Sequence, residues 1–102
     1  MVNKTESDMT IAQTILSQIK TIDPMAMPAW GAKDLMDMGD GLKFKSTGMC
    51  RWKGQVYVRY NRGADAYDIE FFRVRAGTVK VDKVVNDVYA PELVSVIDAQ
   101  VG

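Results

Sequence analysis

The sequence predicts an α+β domain in which four antiparallel strands lie between two helices, in the order α-β-β-β-β-α. Apolar residues recur at helical spacing near the N-terminus and again near the C-terminus. Between them, over residues 42–83, apolar and polar residues alternate as they do in half-buried strands. The connections between these strands are short, which favours a meander with both helices packed on one face of the sheet.

Length and composition predict one domain. The chain has 102 residues, of which 47% are hydrophobic and 25% charged, as in an average soluble globular protein. We expect a single domain over residues 8–102 and a disordered N-terminus at residues 1–7. The polar N-terminus lacks the apolar run of a signal peptide and Cys50 has no second cysteine to bond, so an intracellular location is expected. No apolar run approaches the ~20 residues that span a bilayer, so no membrane partner is expected.

The first predicted helix covers residues 8–22. Its apolar residues recur at spacings of three and four, as on one face of a helix. This stripe consists of Ile11, Ala12, Ile15, Leu16, Ile19 and Ile22. Ser7 or Asp8 is the predicted N-cap, because either side chain accepts a hydrogen bond from the first turn. We expect the helix to end at Asp23, since a residue before proline disfavours the helical conformation.

Residues 24–41 combine four methionines and Trp30 with three aspartates at intervals of three. A short helix is predicted at residues 31–38 and a turn at residues 39–41. The methionines and Trp30 indicate either an adaptable surface for a partner or a segment that folds back and closes one end of the core. We favour the second interpretation. The aspartate spacing differs from the alternation of an EF-hand loop, so calcium binding is not expected.

Four strands are predicted between the helices. They cover residues 42–46, about 50–60, 66–75 and 78–83. The sequences that separate them are typical of turns: Thr47-Gly48, residues 61–65 and Ala76-Gly77. The second helix is predicted over about residues 88–100, with Asn86 or Asp87 as its cap. Pro91 is compatible with the first turn of this helix, because the N–H groups there have no helical acceptor.

Charge is distributed unevenly along the chain. Residues 41–85 contain ten Lys or Arg and four Asp or Glu, a net charge of +6. The remaining residues contain three Lys and nine Asp or Glu, a net charge of −6, so the whole chain is neutral. Because antiparallel sheets commonly leave one face in water, the alternation predicts a cationic sheet face on the side opposite the helices.

The predicted binding surface lies on that face. Its residues are Lys43, Lys45, Arg51, Trp52, Lys53, Tyr57, Arg59 and Lys80. Such a surface is typical of single-strand binding, where cations contact phosphates and each base stacked on an aromatic ring contributes about 1–3 kcal/mol. Asp68, Glu70 and Asp82 alternate among the same strands. Ordinary cross-strand ion pairs on a solvated face therefore stay open as the alternative.

The chain contains no histidine and one cysteine, which excludes much of the usual catalytic chemistry. A zinc site of normal composition, a Ser-His-Asp triad and a Cys-His pair cannot form within one chain. Asp68, Glu70 or Asp82 acting with a Tyr or Lys is the enzymatic alternative, although ion pairing explains carboxylates among cations more simply. We therefore expect no enzymatic activity, no catalytic residue, no metal and no cofactor.

Five segments in order along the chain support a family resemblance. They are residues 11–16 (IAQTIL), 27–33 (MPAWGAK), 42–45 (LKFK), 67–75 (YDIEFFRVR) and 87–90 (DVYA). With these segments the chain resembles a family of small uncharacterised proteins encoded by bacteriophages and related mobile elements. The C-terminal residues 98–102 (DAQVG) depart from the Thr-Gly-Leu-Tyr type of tail that the family often has. The resemblance implies a viral origin and a place in the host cytoplasm, and it implies no mechanism.

Together these observations predict a non-enzymatic binding protein that presents a basic, aromatic-containing sheet face to a macromolecular partner. Nucleic acid is one candidate partner. The alternative is a host protein, with the chain acting as an inhibitor of a defence or regulatory protein, and the acidic residues 34–40 would then mimic phosphates. Self-association through an edge strand or the sheet face, giving a homo-oligomer, is a third interpretation.

Overall fold

The computed structural model describes residues 9–47 and 52–102. The helices in this part are α1 (Ile11–Ile22), α2 (Ala26–Ala29) and α3 (Leu93–Val101), and a 3-10 turn at Ala90–Glu92 precedes α3. The strands are β1 (Ala32–Asp37), β2 (Gly41–Thr47), β3 (Lys53–Asn61), β4 (Ala66–Arg75) and β5 (Thr78–Val88). The predicted α+β class with an antiparallel sheet is confirmed. The prediction of four strands is wrong, because the described sheet has five, in the order β1-β2-β3-β4-β5.

The additional strand is β1, which replaces the helix predicted at residues 31–38. β1 pairs with β2 from Ala32 opposite Ser46 to Asp37 opposite Leu42. Its middle contains a bulge, where Asp34 adopts a left-handed conformation with φ of 55°. Most of β1 is exposed, so it has no apolar face with which a helix would pack. The free edge of β2 instead supplies hydrogen-bond partners for its backbone.

The helices cover one side of the sheet and enclose the core with it. The buried core residues from the strands are Leu42, Phe44, Val56, Val58, Tyr67, Ile69, Phe71 and Val88. Those from the helices and their connections are Ala12, Ile15, Ile19, Ala26, Met27, Trp30, Leu93, Ile97 and Val101. Paired residues of neighbouring strands share a face, so the strand side chains between these positions lie on the opposite, open face.

Trp30 closes one end of this core. Its side chain is 1% exposed, and its ring stacks on Phe44 with centroids 6.2 Å apart. The indole Nε1 donates a hydrogen bond of 3.0 Å to Asp98 of α3. The buried hydroxyl of Ser46 lies 3.1 Å from the carbonyl oxygen of Trp30 and 3.0 Å from that of Trp52. The first half of the Met- and Trp-rich segment therefore folds back into the core, as the favoured interpretation requires.

The helix boundaries differ from those predicted. α1 begins at Ile11 because Thr10 caps it: the Thr10 hydroxyl accepts from the backbone N–H of Gln13, and the Gln13 side chain accepts from that of Thr10. The predicted caps Ser7 and Asp8 and the predicted disordered residues 1–7 lie outside the described residues. At the other end of the stripe, Ile22 is 44% exposed and does not join the core.

The last strand is longer than predicted, and the last helix is shorter. β5 continues to Val88 because Val85 pairs with Ile69 and Val88 pairs with Tyr67, which places both valines on the core side. The second helix was predicted from residue 88, but α3 begins at Leu93 after the 3-10 turn that contains Pro91. Over residues 9–47 and 52–102, no helix is both long enough and apolar enough to cross a membrane.

Candidate binding surface

The open face contains five of the eight predicted binding residues. Lys43, Lys45, Lys53, Tyr57 and Arg59 alternate along β2 and β3 with residues that are buried in the core. Lys43 pairs directly with Tyr57 across these two strands. These five side chains therefore share one face of the sheet, opposite the helices.

Two predicted residues lie on the helix-bearing side instead. Trp52 packs edge-on against the core residue Phe71, with ring centroids 5.9 Å apart. Lys80 pairs with Arg73, which follows Phe71 by two residues and so shares its side of β4. The prediction failed for Lys80 because a bulge in β5 changes which residues face the core. Arg51 lies outside the described residues.

Two cations of the open face form ion pairs. Lys45 Nζ lies 3.4 Å from Asp34 Oδ2, and Arg59 Nε lies 3.5 Å from Asp40 Oδ2. Among the described residues, Lys43 and Lys53 have no carboxylate within 4.0 Å. The acidic segment 34–40 thus neutralises part of the predicted surface. Two of its three carboxylates are engaged in this way, which weakens the idea that it mimics phosphates.

Tyr57, on the same face, makes a hydrogen bond and a cation–π contact. Its hydroxyl donates a hydrogen bond to Asp40, and the guanidinium carbon of Arg59 lies 4.6 Å from the centre of its ring. Desolvation, followed by the hydrogen bond to Asp40, raises the pKa of Tyr57 above its ordinary value. Tyr57 therefore stays a neutral donor, and one face of its ring is already covered.

Asp82 joins the start of β3 to β4 and β5. Its Oδ2 accepts a hydrogen bond of 3.0 Å from the indole Nε1 of Trp52 and lies 2.8 Å from Nε of Arg73. The hydrogen bond from Trp52, followed by the one from Arg73, lowers the pKa of Asp82 below its ordinary value of 3.8. Trp52 and Asp82 thus hold the end of the sheet together, and the Trp52 ring is not a free stacking surface.

We expect Asp82→Asn to reduce the acid sensitivity of the fold. Because the folded pKa of Asp82 is lower than the unfolded pKa, its contribution to stability is present above the unfolded value and is lost as the pH falls through the folded value. Wild-type stability should therefore drop more than variant stability between about pH 5 and about pH 3 in urea denaturation. Asp87→Asn is the matched control, since Asp87 is exposed with φ of 58°, a conformation that Asn also accepts. Equal acid sensitivity in wild type and Asp82→Asn would contradict the assigned contacts.

The sheet is electrically polar along its strands. A line across the strands divides the sheet into two halves. It runs between the paired residues Phe44, Val56 and Phe71 and the next paired set along the strands, Lys45, Gln55 and Phe72. On one side of it the described strands and turns contain Lys33, Lys45, Lys53, Arg73, Arg75 and Lys80, with Asp34 and Asp82, a net charge of +4. On the other side they contain Lys43, Arg59, Arg62 and Lys83, with Asp37, Asp40, Asp65, Asp68, Glu70 and Asp87, a net charge of −2. We call the first set the basic end and the second the acidic end.

The basic end is a feature that sequence reasoning missed. Strand alternation predicts which face a residue occupies, but the position along the sheet follows from strand register and from turn placement. Both sides of the β4-β5 hairpin are exposed at this end, from Arg73 to Val81. Arg73, Arg75 and Lys80 occupy the helix-bearing side, while Lys45 and Lys53 occupy the open face, so the cations surround the end of the sheet.

Asp68, Glu70 and Asp82, the carboxylates of the enzymatic alternative, make structural contacts. Asp68 shares the open face with Glu70, as predicted, and accepts hydrogen bonds from Asn61 and from the backbone N–H of Asp87. Three surface depressions, beside α1, between α1 and β3-β4, and between α2 and α3, are lined by other side chains. Within residues 9–47 and 52–102, no group of three or more Cys, Asp or Glu residues is arranged to hold a metal ion.

Comparison with known proteins gives no further assignment. A scan against protein-family models found no match to the chain, and searches of the curated proteins and of the solved structures found none either. The described surface concentrates cations at one end of the sheet, an arrangement suited to binding anionic groups.

Proposed function

We propose that this chain is a non-enzymatic binding protein that contacts nucleic acid through the basic end of its sheet. The observation that carries the proposal is the net charge of +4 on the strands and turns of that end that the structure describes, in a protein whose total charge is zero. As an accessory protein of phage or mobile-element origin, it would act in the host cytoplasm.

Free cations support this proposal. Lys53, Arg75 and Lys80 are exposed, and within the described part of the chain none of them has a carboxylate within 4.0 Å. Cations that are not already paired gain most from phosphate contacts, and each contact releases counterions from the nucleic acid. The acidic end repels phosphates, so the nucleic acid would lie against the end of the sheet and not along the whole open face.

The contacts that Tyr57 and Trp52 already make decide how nucleic acid would bind. Tyr57 is covered by Arg59, and Trp52 is fixed by Asp82 and Phe71. Base stacking on these rings is therefore not part of the proposal, although both were predicted to stack. Binding through phosphates alone tolerates any sequence and is sensitive to salt.

Fluorescence anisotropy with labelled single- and double-stranded oligonucleotides tests the proposal. At about 50 mM salt we expect saturable binding to weaken steeply by about 200 mM, because counterion release drives it. Arg75→Glu should weaken binding about tenfold or more and reduce the slope of log K against log salt by about one. The reason is that Arg75 lies beside the exposed Ala76-Gly77 turn of the basic end.

Arg62→Glu is the matched control for this experiment. It makes the same charge reversal in the exposed 62–65 turn at the acidic end. We expect it to change affinity less than twofold, although both variants have the same net charge. No binding at low salt, or equal losses in the two variants, would overturn the assignment of nucleic-acid binding to the basic end.

A protein partner is the second candidate, with the chain acting as an inhibitor of a host defence or regulatory protein. Exposed valines on the open face favour it, because Val74, Val79, Val81 and Val84 are each about half exposed. Contiguous apolar surface of this kind marks protein contacts more often than nucleic-acid contacts. Absence of nucleic-acid binding combined with a monomeric chain would favour this candidate.

A further inference from the structure

We infer that the exposed valines of β4 and β5 form the interface of a symmetric homodimer, in which the open faces of two copies pack against each other. We call Val74, Val79, Val81 and Val84 the valine patch; they are 50%, 58%, 47% and 49% exposed. This inference goes beyond nucleic-acid binding and does not depend on it: of the three free cations of the basic end the dimer engages Lys53 alone, and Arg75 and Lys80 lie on the helix-bearing side.

Strand register makes the patch continuous. Val74 pairs with Val79, and Val81 pairs with Phe72, whose side chain lies on the same open face and is only 9% exposed. Val84 pairs with Glu70 one step further along the open face. The apolar side chains are thus neighbours across one hairpin, with nothing from the described helices covering them. A contiguous exposed apolar patch with a charged rim is a common mark of a protein contact.

The patch has opposite charges at its two ends. Lys53 lies on the open face two residues before Gln55, which pairs with Phe72, so it borders the basic side of the patch. Glu70 borders the other side, through its pairing with Val84. The rim is therefore cationic at one end and anionic at the other.

In a dimer with two-fold symmetry, the cationic end of each valine patch meets the anionic end of the other. The two-fold axis lies midway between the two sheets, parallel to their planes and perpendicular to the strands, above the Phe72-Val81 pair. It sets Val79 of each copy over Val84 of the other. The same rotation sets Lys53 of each copy above Tyr57 of the other and Val74 above Glu70. Because Tyr57 and Glu70 are paired on adjacent strands, the long Lys53 side chain of each copy can reach Glu70 of the other across one strand spacing. Two antiparallel sheets pack in this way at about 10 Å separation.

A nucleic acid matches the surface less well than a second copy does. A nucleic acid would be attracted by Lys53 but repelled by Glu70 and Asp68, and it would leave the valines exposed. Two copies of a chain with zero net charge, in contrast, experience no net long-range repulsion. The charge complementarity of the rim favours the second copy, and the neutrality of the chain permits its approach.

Light scattering after size-exclusion chromatography, without nucleic acid, tests the dimer. From low to high micromolar concentration, the wild type should shift from 11.4 kDa toward twice that mass. Val79→Lys and Val84→Glu should each weaken dimerisation about tenfold or more, because each places a charge against valine in the partner copy. Met25→Lys is the matched control, since Met25 is 65% exposed and lies outside the patch, and it should dimerise as the wild type does.

Mixing the two patch variants tests the geometry itself. In a mixed dimer, Lys at position 79 of one copy faces Glu at position 84 of the other, and the second contact remains valine against valine. An equimolar mixture should therefore dimerise about tenfold or more tightly than either variant alone. Far-UV circular dichroism of each variant establishes that the fold is kept. A wild type that stays monomeric, a dimer that Val79→Lys leaves intact, or variants that do not recover on mixing would each overturn the inference.

Discussion

Replacing Trp30 by Ala is expected to lower the free energy of unfolding by about 3–5 kcal/mol. The indole is 1% exposed, stacks on Phe44 and donates a hydrogen bond to Asp98, so truncation leaves a cavity and removes a hydrogen bond at once. Since a domain of this size is stable by only about 5–15 kcal/mol, such a loss would leave the variant marginally folded. Urea denaturation followed by far-UV circular dichroism measures it without relying on the fluorescence of the removed ring.

Trp30→Phe separates packing from hydrogen bonding. Phenylalanine retains an apolar ring against Phe44 but has no donor for Asp98, so we expect a loss of about 1–2 kcal/mol. A Trp30→Ala variant that loses less than about 1 kcal/mol would show that Trp30 does not close the core. That result would return residues 24–41 to the alternative interpretation, an adaptable surface that binds a partner.

Gly41→Ala is expected to disrupt the pairing of β2 with β3. A Cβ atom at this position would lie 2.0 Å from the carbonyl oxygen of Val58 and 2.9 Å from Cα of Arg59, and both are backbone atoms that cannot rotate away. Either the strands separate here or the register shifts, and a shift by one residue would move Leu42 and Phe44 to the open face. We expect a loss of about 3 kcal/mol or more in urea denaturation.

Gly63→Ala is the control for the glycine substitution. Gly63 is exposed, and the nearest atom to an added Cβ is a side-chain oxygen of Asn61 at 3.5 Å, an ordinary contact distance. We expect the free energy of unfolding to change by less than about 1 kcal/mol. If Gly41→Ala were tolerated as well as Gly63→Ala, that result would contradict the close approach of the two backbones at Gly41.

Much of the fold is predictable from residue pattern alone. β4 has the predicted bounds of residues 66–75, and β2 and β3 differ from the prediction by only a few residues in their described parts. Alternation predicts these strands because every second side chain is buried against the helices. β1 escaped prediction because its exposed residues follow no period, and only the adjacent edge of β2 makes it a strand.

The binding surface is predictable in part, for a related reason. In the regular strands β2 and β3, alternation correctly placed Lys43, Lys45 and Tyr57 on the open face. In β5 a bulge reverses the alternation, which places Lys80 on the helix-bearing side and leaves Val81 exposed on the open face. The two ends of opposite charge follow from strand register, which brings together residues that are distant in the sequence.

By itself, the sequence determined the α+β class, the antiparallel order of most strands and the side of the sheet that each regular strand buries. These properties follow from local periodicity and turn chemistry, both of which are written in neighbouring residues. Only the tertiary structure decided that Trp30 belongs to the core, that Asp34 and Asp40 neutralise Lys45 and Arg59, and that the valines of β4 and β5 meet on one uncovered face. The reason is physical: each of these contacts joins residues through strand pairing or packing, and the backbone register that aligns them is set by the whole domain.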